Sequence, residues 1–354
     1  MPRLELQLDA VNVELLEFQD KLRRGCGVLR GVGEVQVGAT PRRVIFELEG
    51  VRLYRYGCAQ AEPGATPLLI VYALVNRPEM ADLQADRSLI AALMAHGFDV
   101  YLIDWGYPCG ADRMLGLDDY INRYLDACVE HLLARLARPS VPLLGICQGG
   151  TLSVCYAALY PHKVARLITT VTPIDFFTTD DMLSHLVRHV DVERLVASCG
   201  NVSGDFLNAL FLLLKPYRQT QQKYLRFVEQ LDDAAAVAMF LRMEQWIFDS
   251  PALAAQVASE FARDFYQGNK LIKGELQVAG RSIDLRAVTM PVLNIYARED
   301  HLVPPAAARA LRDAIGSDDY TEVELAGGHI GLYVGLKATP SVSETVAQWM
   351  ARLG

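Results

Sequence analysis

The stretch Val141-Pro142-Leu143-Leu144-Gly145-Ile146-Cys147-Gln148-Gly149-Gly150 decides how the rest of the chain is read. An apolar run ends in G-x-C-x-G-G and gives way to a helix-compatible segment from Thr151 to Tyr160. Glycines two residues before and two after a nucleophile are what a strained strand-to-helix elbow requires, because bulky neighbours would clash there. A cysteine at its tip points to acyl transfer through a covalent thioester. Taken alone, the motif fits equally well a buried cysteine at a Gly-rich strand end, since free cysteine is among the most buried residue types. The surrounding pattern separates the two.

Short, almost continuous apolar runs recur at Pro67–Tyr72, Val100–Asp104, Val141–Ile146, Val164–Val171 and Pro291–Tyr296. Helical stretches such as Asp86–His96 and Leu117–Leu136 lie between them. Strands buried on both faces and alternating with helices predict an α/β fold with a mostly parallel central sheet and helices on both faces. Ligands in such sheets sit beyond the carboxyl ends of the strands, where Asp104, Cys147 and Asp300 all fall.

Ahead of this rhythm, Val11, Leu15, Leu16, Phe18 and Leu22 predict an amphipathic helix within the first 25 residues. Val44–Leu48 and Val51–Tyr56 flank Glu49-Gly50 as a hairpin. From about Phe176 to Leu285 the alternation stops and the chain reads as helical. The expected organisation is a first core part over 1–175, a helical cap over 176–287 and a second core part over 288–354.

Apolar residues make up 51% of the 354 and charged residues 21%, the balance of an ordinary globular protein. A formal charge of -8 excludes a nucleic-acid binder on composition, and an anionic substrate would need a local basic mouth. Seven cysteines without a CxxC pair leave neither metal-finger spacing nor a disulfide framework. With no secretory leader pattern and no run of about 18 uncharged apolar residues, the expectation is a reduced cytoplasmic protein without a transmembrane segment and without a metal.

An elbow nucleophile needs a base, and the base an acid, in the chain order nucleophile, acid, histidine. Asp300 follows the Pro291–Tyr296 run, and His329 lies among glycines after the strand-like Thr321–Leu325. Glu299 is a rival acid, and His301 could tune its neighbour Asp300 or merely cap the loop. The other histidines read as surface or packing residues. The oxyanion needs two backbone N–H donors, one from Gln148 and one from the loop after Leu68–Tyr72, where Val75 is chosen and Asn76 is its neighbour. Asp104-Trp105-Gly106-Tyr107-Pro108 reads as a structural turn, and Trp246 and Trp349 as core anchors.

Several segments carry a resemblance to a known family: Leu69–Pro78, Asp99–Pro108, Gly145–Gly150, Trp246–Pro251, Phe265–Gly274, Asp300–Pro305 and Gly327–Tyr333. From about residue 35 onward the chain resembles the catalytic subunit of a class III polyhydroxyalkanoate synthase, an α/β-hydrolase relative. The class IV subunit looks similar; Gln148 favours class III. The resemblance implies polymerisation of (R)-3-hydroxyacyl-CoA, with 3-hydroxybutyryl-CoA the expected monomer, into polyester with release of coenzyme A. Cys147 would carry the acyl chain, His329 would be the general base and Asp300 its partner. No cofactor is implied beyond the coenzyme A thioester substrate. An accessory subunit, a homodimer and attachment to cytoplasmic polyester granules are implied as well. Arg77, Lys215, Lys270 and Lys273 are candidates for holding coenzyme A. The enzymatic rival is a cysteine hydrolase of the same fold, a thioesterase or dienelactone-hydrolase-like enzyme. The other rival is a catalytically inert interaction scaffold.

Overall fold

A computed structural model describes residues 8–57 and 65–352. Eight strands form the main sheet: β1 (Arg42–Leu48), β2 (Val51–Tyr56), β3 (Thr66–Val71), β4 (Phe98–Asp104), β5 (Val141–Ile146), β6 (Val164–Thr170), β7 (Val292–Ala297) and β8 (Tyr320–Leu325). Their spatial order is β1-β2-β4-β3-β5-β6-β7-β8. Only β2 runs against its neighbours; from β4 to β8 every pairing is parallel. This is the mostly parallel α/β arrangement that the apolar runs imply. The hairpin also stands where expected, turning at Glu49 and Gly50, both at positive φ (50° and 88°) as a tight two-residue turn demands.

Every residue of β4 and β5 is buried, because helices cover both faces. On one face lie α2 (Leu89–Ala95) and the C-terminal helix Ala338–Ala351, which contributes Val342, Val346 and Trp349 to the core, whereas α1 (Leu8–Val32) packs against the helix Ala234–Phe248. On the other lie α3 (Asp126–Leu136), entered through one π-helical stretch at Asp119–Leu125, and α4 (Gln148–Leu159). The sequence places α2 from Asp86, but it begins at Leu89, where Ser88 caps it by accepting from the Ala91 N–H at 2.9 Å. Residues Arg87–Ser88 belong to a short antiparallel pairing with Asp82–Gln84.

The expected extent of α1 needs correction. The helix continues to Val32, past the residue-25 limit, through Gly25, which is buried against Leu231. A Cβ on Gly25 would stand 2.6 Å from the Leu231 Cβ, so the missing side chain is what lets the helix run on against the cap. Its apolar residues Leu15, Leu16 and Phe18 are exposed, not turned to the core; residues 1–7 lie outside the described residues.

Between β6 and β7 the chain forms α5 (Met182–Val187), α6 (Val192–Cys199), α7 (Gly204–Leu214), α8 (Lys223–Glu229), α9 (Ala234–Phe248) and α10 (Ala255–Glu260). Asp181, Asp191, Ser203 and Asp233 each cap one of the first, second, third and fifth of these with a side-chain oxygen. A small hairpin, Gln277–Val278 with Arg281–Ser282, closes the segment and has no counterpart in the sequence reading.

Candidate active site

Cys147 occupies the single residue between β5 and α4, with φ +53° and ψ −124°. That conformation is strained for any residue with a Cβ and persists only where its surroundings impose it. Here they do. The Cys147 N–H donates to the Thr170 carbonyl at 2.9 Å, and its carbonyl accepts from the Gly150 N–H at 2.9 Å. A Cβ on Gly149 would lie 2.2 Å from the Val71 oxygen, and one on Gly150 1.9 Å from Thr172 Oγ1. The glycines therefore let the helix start directly against β3 and β6, which thrusts the sulfur outward at a helix N-terminus.

Asp300 stands just beyond β7 and His329 just beyond β8, neighbouring parallel strands, so their loops meet. His329 Nδ1 and Asp300 Oδ2 are 2.8 Å apart, and both residues are buried. The other carboxylate oxygen accepts from the N–H groups of Leu302 and Val303 at 2.9 and 3.0 Å. With Nδ1 held by Asp300, the far side of the imidazole is left to hydrogen-bond the Cys147 thiol. Burial pulls the His329 pKa down. The charge of Asp300, the charge of Cys147 and the hydrogen bonds to both outweigh it and leave the pKa well above the ordinary histidine value. His329 thus lies hydrogen-bonded to the Asp300 carboxylate on the wall of the cavity that also takes in Cys147.

The loop after β3 is pinned from several sides. Leu74 donates its N–H to Gln148 Oε1 at 3.1 Å, and Trp105 Nε1 donates to the Tyr72 carbonyl at 2.9 Å. Asn76 takes a left-handed φ of +58°, and its Oδ1 accepts from Ser250 Oγ at 2.8 Å. Trp246 Nε1 donates to the Arg77 carbonyl at 2.7 Å, while the Arg77 guanidinium grips Asp104 through two bonds of 2.7 Å. Among the described residues no hydrogen bond engages the N–H of Val75 or of Gln148. Both residues line the same cavity as Cys147 and His329.

That cavity measures about 1090 Å³ and runs from Cys147 up between the helices that connect β6 and β7. Its walls are mainly apolar, with Leu207, Met239, Trp246 and Phe261 from the cap, and it also takes in His301. Tyr72 and Tyr333 flank the elbow; burial foremost, with the charge of Cys147 adding, pushes both hydroxyls well above their ordinary range, so they stay neutral. The cation candidates named from sequence do not form the wall. Arg77 is committed to Asp104, Lys270 to Asp264 at 2.7 Å, and Lys273 to the Gly268 carbonyl at 2.8 Å. Arg87 and Lys223 line it instead, cations that the sequence does not single out. The structural turn at Asp104–Pro108 holds, whereas Trp246 is cavity wall and loop anchor as well as core. Among the described residues no group of three or more His, Cys, Asp or Glu could hold a metal ion, and no helix is long and apolar enough to cross a membrane.

Comparison with known proteins supplies the family. A family model described as alpha/beta hydrolase fold matches residues 66–336. The chain is 48% identical over 351 residues to the poly(3-hydroxyalkanoate) polymerase subunit PhaC of Allochromatium vinosum, covering 98% of each chain. It is 47% identical to the subunit of the same name from Thiocystis violacea, covering 99% of each, and 45% identical to that of Synechocystis sp., covering 96% of this chain and 92% of the relative. Among solved structures, a monoacylglycerol lipase from Paleococcus ferrophilus superposes with a TM-score of 0.53 at 17% identity, over 85% of this chain and 99% of that one. A likeness that distant speaks for the fold alone. Cysteine at the elbow, near-complete coverage and identities close to one half agree on one assignment: the chain belongs to the poly(3-hydroxyalkanoate) polymerase subunit family, built on the alpha/beta hydrolase fold.

Proposed function

We infer that the protein is the catalytic subunit of a polyester synthase that polymerises (R)-3-hydroxyacyl-CoA, with 3-hydroxybutyryl-CoA as its monomer, and releases coenzyme A. The observation that carries this reading is a cysteine, in place of serine, at a strained elbow, sharing one cavity with a His329 that is hydrogen-bonded to Asp300. Exchange of one thioester for another is nearly isoenergetic, so an acyl group on sulfur stays activated for transfer to a hydroxyl.

The steps follow from the chemistry of these groups. His329 takes the Cys147 proton, and the sulfur attacks the substrate carbonyl. The oxyanion is met by the N–H groups of Val75 and Gln148. Collapse expels the coenzyme A thiolate, which takes the proton back from His329. The 3-hydroxyl of a second hydroxyacyl-CoA, deprotonated by His329, then attacks the Cys147 thioester, forming an ester and expelling the Cys147 thiolate, which takes the proton from His329. The lengthened chain, now ending in coenzyme A, returns to Cys147 by another thioester exchange. Asp300 fixes the imidazole tautomer and supports its charged form, and His301 beside it on the cavity wall tunes that carboxylate. Water must be kept from the thioester, and the apolar cap over the elbow supports that role.

The division into a core over 1–175 and 288–354 with a cap over 176–287 belongs to the same reading. So do a class III accessory subunit, a homodimer, a place on cytoplasmic polyester granules, and the absence of any cofactor besides the substrate's own coenzyme A. The test is coenzyme A release from 3-hydroxybutyryl-CoA, with and without the accessory subunit. Wild type should release coenzyme A and deposit polymer, and Cys147→Ala should do neither. Free 3-hydroxybutyrate formed as fast as polymer would make the protein a hydrolase instead.

A further inference from the structure

Glu299 lies one residue before the carboxylate that holds His329, and the steps above give it no part. Its position is unusual. Beyond β7, the Arg298 N–H donates to the Leu325 carbonyl at 2.9 Å, extending the pairing of β7 with β8 past the strand ends. The Glu299 N–H then donates to the Gly327 carbonyl at 2.9 Å, and the Glu299 carboxylate accepts from the Gly327 N–H. Glu299 therefore holds both backbone polar groups of one residue. That residue, Gly327, has φ +123°, outside the range that side-chain-bearing residues adopt readily, and stands two positions before His329.

Consecutive residues thus grip the histidine loop at two levels. Glu299 holds the backbone of the turn at Gly327, and Asp300 holds the ring of His329. Asp300 alone fixes one ring nitrogen but leaves the ring free to swing about that bond. Fixing the turn as well sets where the far nitrogen points, and displacement of a catalytic group by about 1 Å can cost on the order of a hundredfold in rate. Glu299 is itself exposed and lines the cavity mouth, so burial of its side chain does not explain its place. A bond from an N–H to a carboxylate is among the stronger hydrogen bonds available to a loop.

We propose that Glu299 is a positioning residue for the polymerase reaction: its carboxylate clamps the Gly327 turn and so sets the approach of the His329 imidazole to the Cys147 sulfur. It acts on the sulfur through the loop that carries His329. The proposal rests on the reading of Cys147, His329 and Asp300 as the reacting groups.

Two substitutions in the full chain test it. Glu299→Ala removes the acceptor, whereas Glu299→Gln keeps an acceptor oxygen and removes the charge. Coenzyme A release from 3-hydroxybutyryl-CoA is followed for each, in the burst that reports Cys147 acylation and in steady state. Glu299→Ala should lower the acylation rate and kcat by about 10- to 100-fold with KM changed less than about threefold. Glu299→Gln should recover most of that loss, and thermal unfolding should show both variants folded. Wild-type acylation in Glu299→Ala would overturn the proposal. So would equal losses in both variants, since that would make charge, not the clamp, the operative feature. Should Glu299→Ala not fold, a Glu299→Gln variant slowed as much as tenfold overturns it and one near wild type upholds it. Failure of the underlying reading is distinguishable, because Cys147→Ala would then still release coenzyme A.

Discussion

His329 is held by a carboxylate on one side and a thiol on the other, and the two together keep its proton bound to higher pH than an ordinary histidine would. Asp300→Asn removes the largest charge favouring that proton. The His329 titration, followed by NMR of the imidazole, should then fall back toward about 6.5 or below, since burial opposes the charged form. The sign for stability follows from the raised value. The pair contributes its full stabilisation below the unfolded histidine value of about 6.5 and loses it as pH rises through the higher folded value. The difference in Tm between wild type and Asp300→Asn should therefore be largest in mildly acid buffer and shrink on the alkaline side. A difference that grows with pH would contradict the assignment.

At the same scale, residues in chain order were legible because loops at strand ends can be ranked without coordinates. Cys147 and Asp300 each follow an apolar run, and His329 a strand-like stretch. Arg77 was not legible. Its partner Asp104 lies 27 residues on, and nothing local distinguishes a buried guanidinium from a solvated one. Arg77→Ala would leave the Asp104 carboxylate buried without its cation, a loss expected to cost about 3–5 kcal/mol in urea unfolding. A cost under about 1 kcal/mol would show that water reaches Asp104.

Among elements, the elbow depends on backbones in near contact. Gly149→Ala forces a methyl group onto the Val71 carbonyl, and neither strand nor helix can retreat without opening the sheet. Overpacking of this kind costs about 1–3 kcal/mol or more, so the variant should show a lowered urea midpoint and little residual coenzyme A release. Normal stability would mean that α4 can shift along β3. The strands themselves were readable, since residues buried on both faces leave continuous apolar runs. Helix ends were less so. A capping serine moved the start of α2 inward to Leu89, and the close approach to Leu231 carried α1 on through a glycine that would ordinarily weaken a helix. Both are tertiary effects with no periodic signature.

Across the whole molecule, the N-terminal segment through Gln36 and the helical stretch between β6 and β7 are fastened together. Lys21 Nζ donates to the Glu229 carbonyl, Arg242 Nε donates to the Gln36 carbonyl at 3.0 Å, and Gly25 rests on Leu231. α9, which carries Arg242, also supplies Met239 and Trp246 to the cavity wall. Gly25→Leu should therefore loosen the cap while sparing the sheet: faster proteolytic nicking between α7 and α9, with the β-sheet amides protected from exchange as in wild type. Uniform loss of protection would mean that helix, cap and sheet unfold as one unit.

The placement of the cap between β6 and β7 has a consequence for how the polypeptide comes into being. The thiol at position 147 leaves the ribosome before the cap, and the imidazole at position 329 only after it. On the roles proposed above, and at ordinary elongation rates, the nascent protein would spend roughly ten seconds or more with its nucleophile but without its base. On that reading, by the time His329 is made and could arm the sulfur, the helices proposed to keep water out have already been translated.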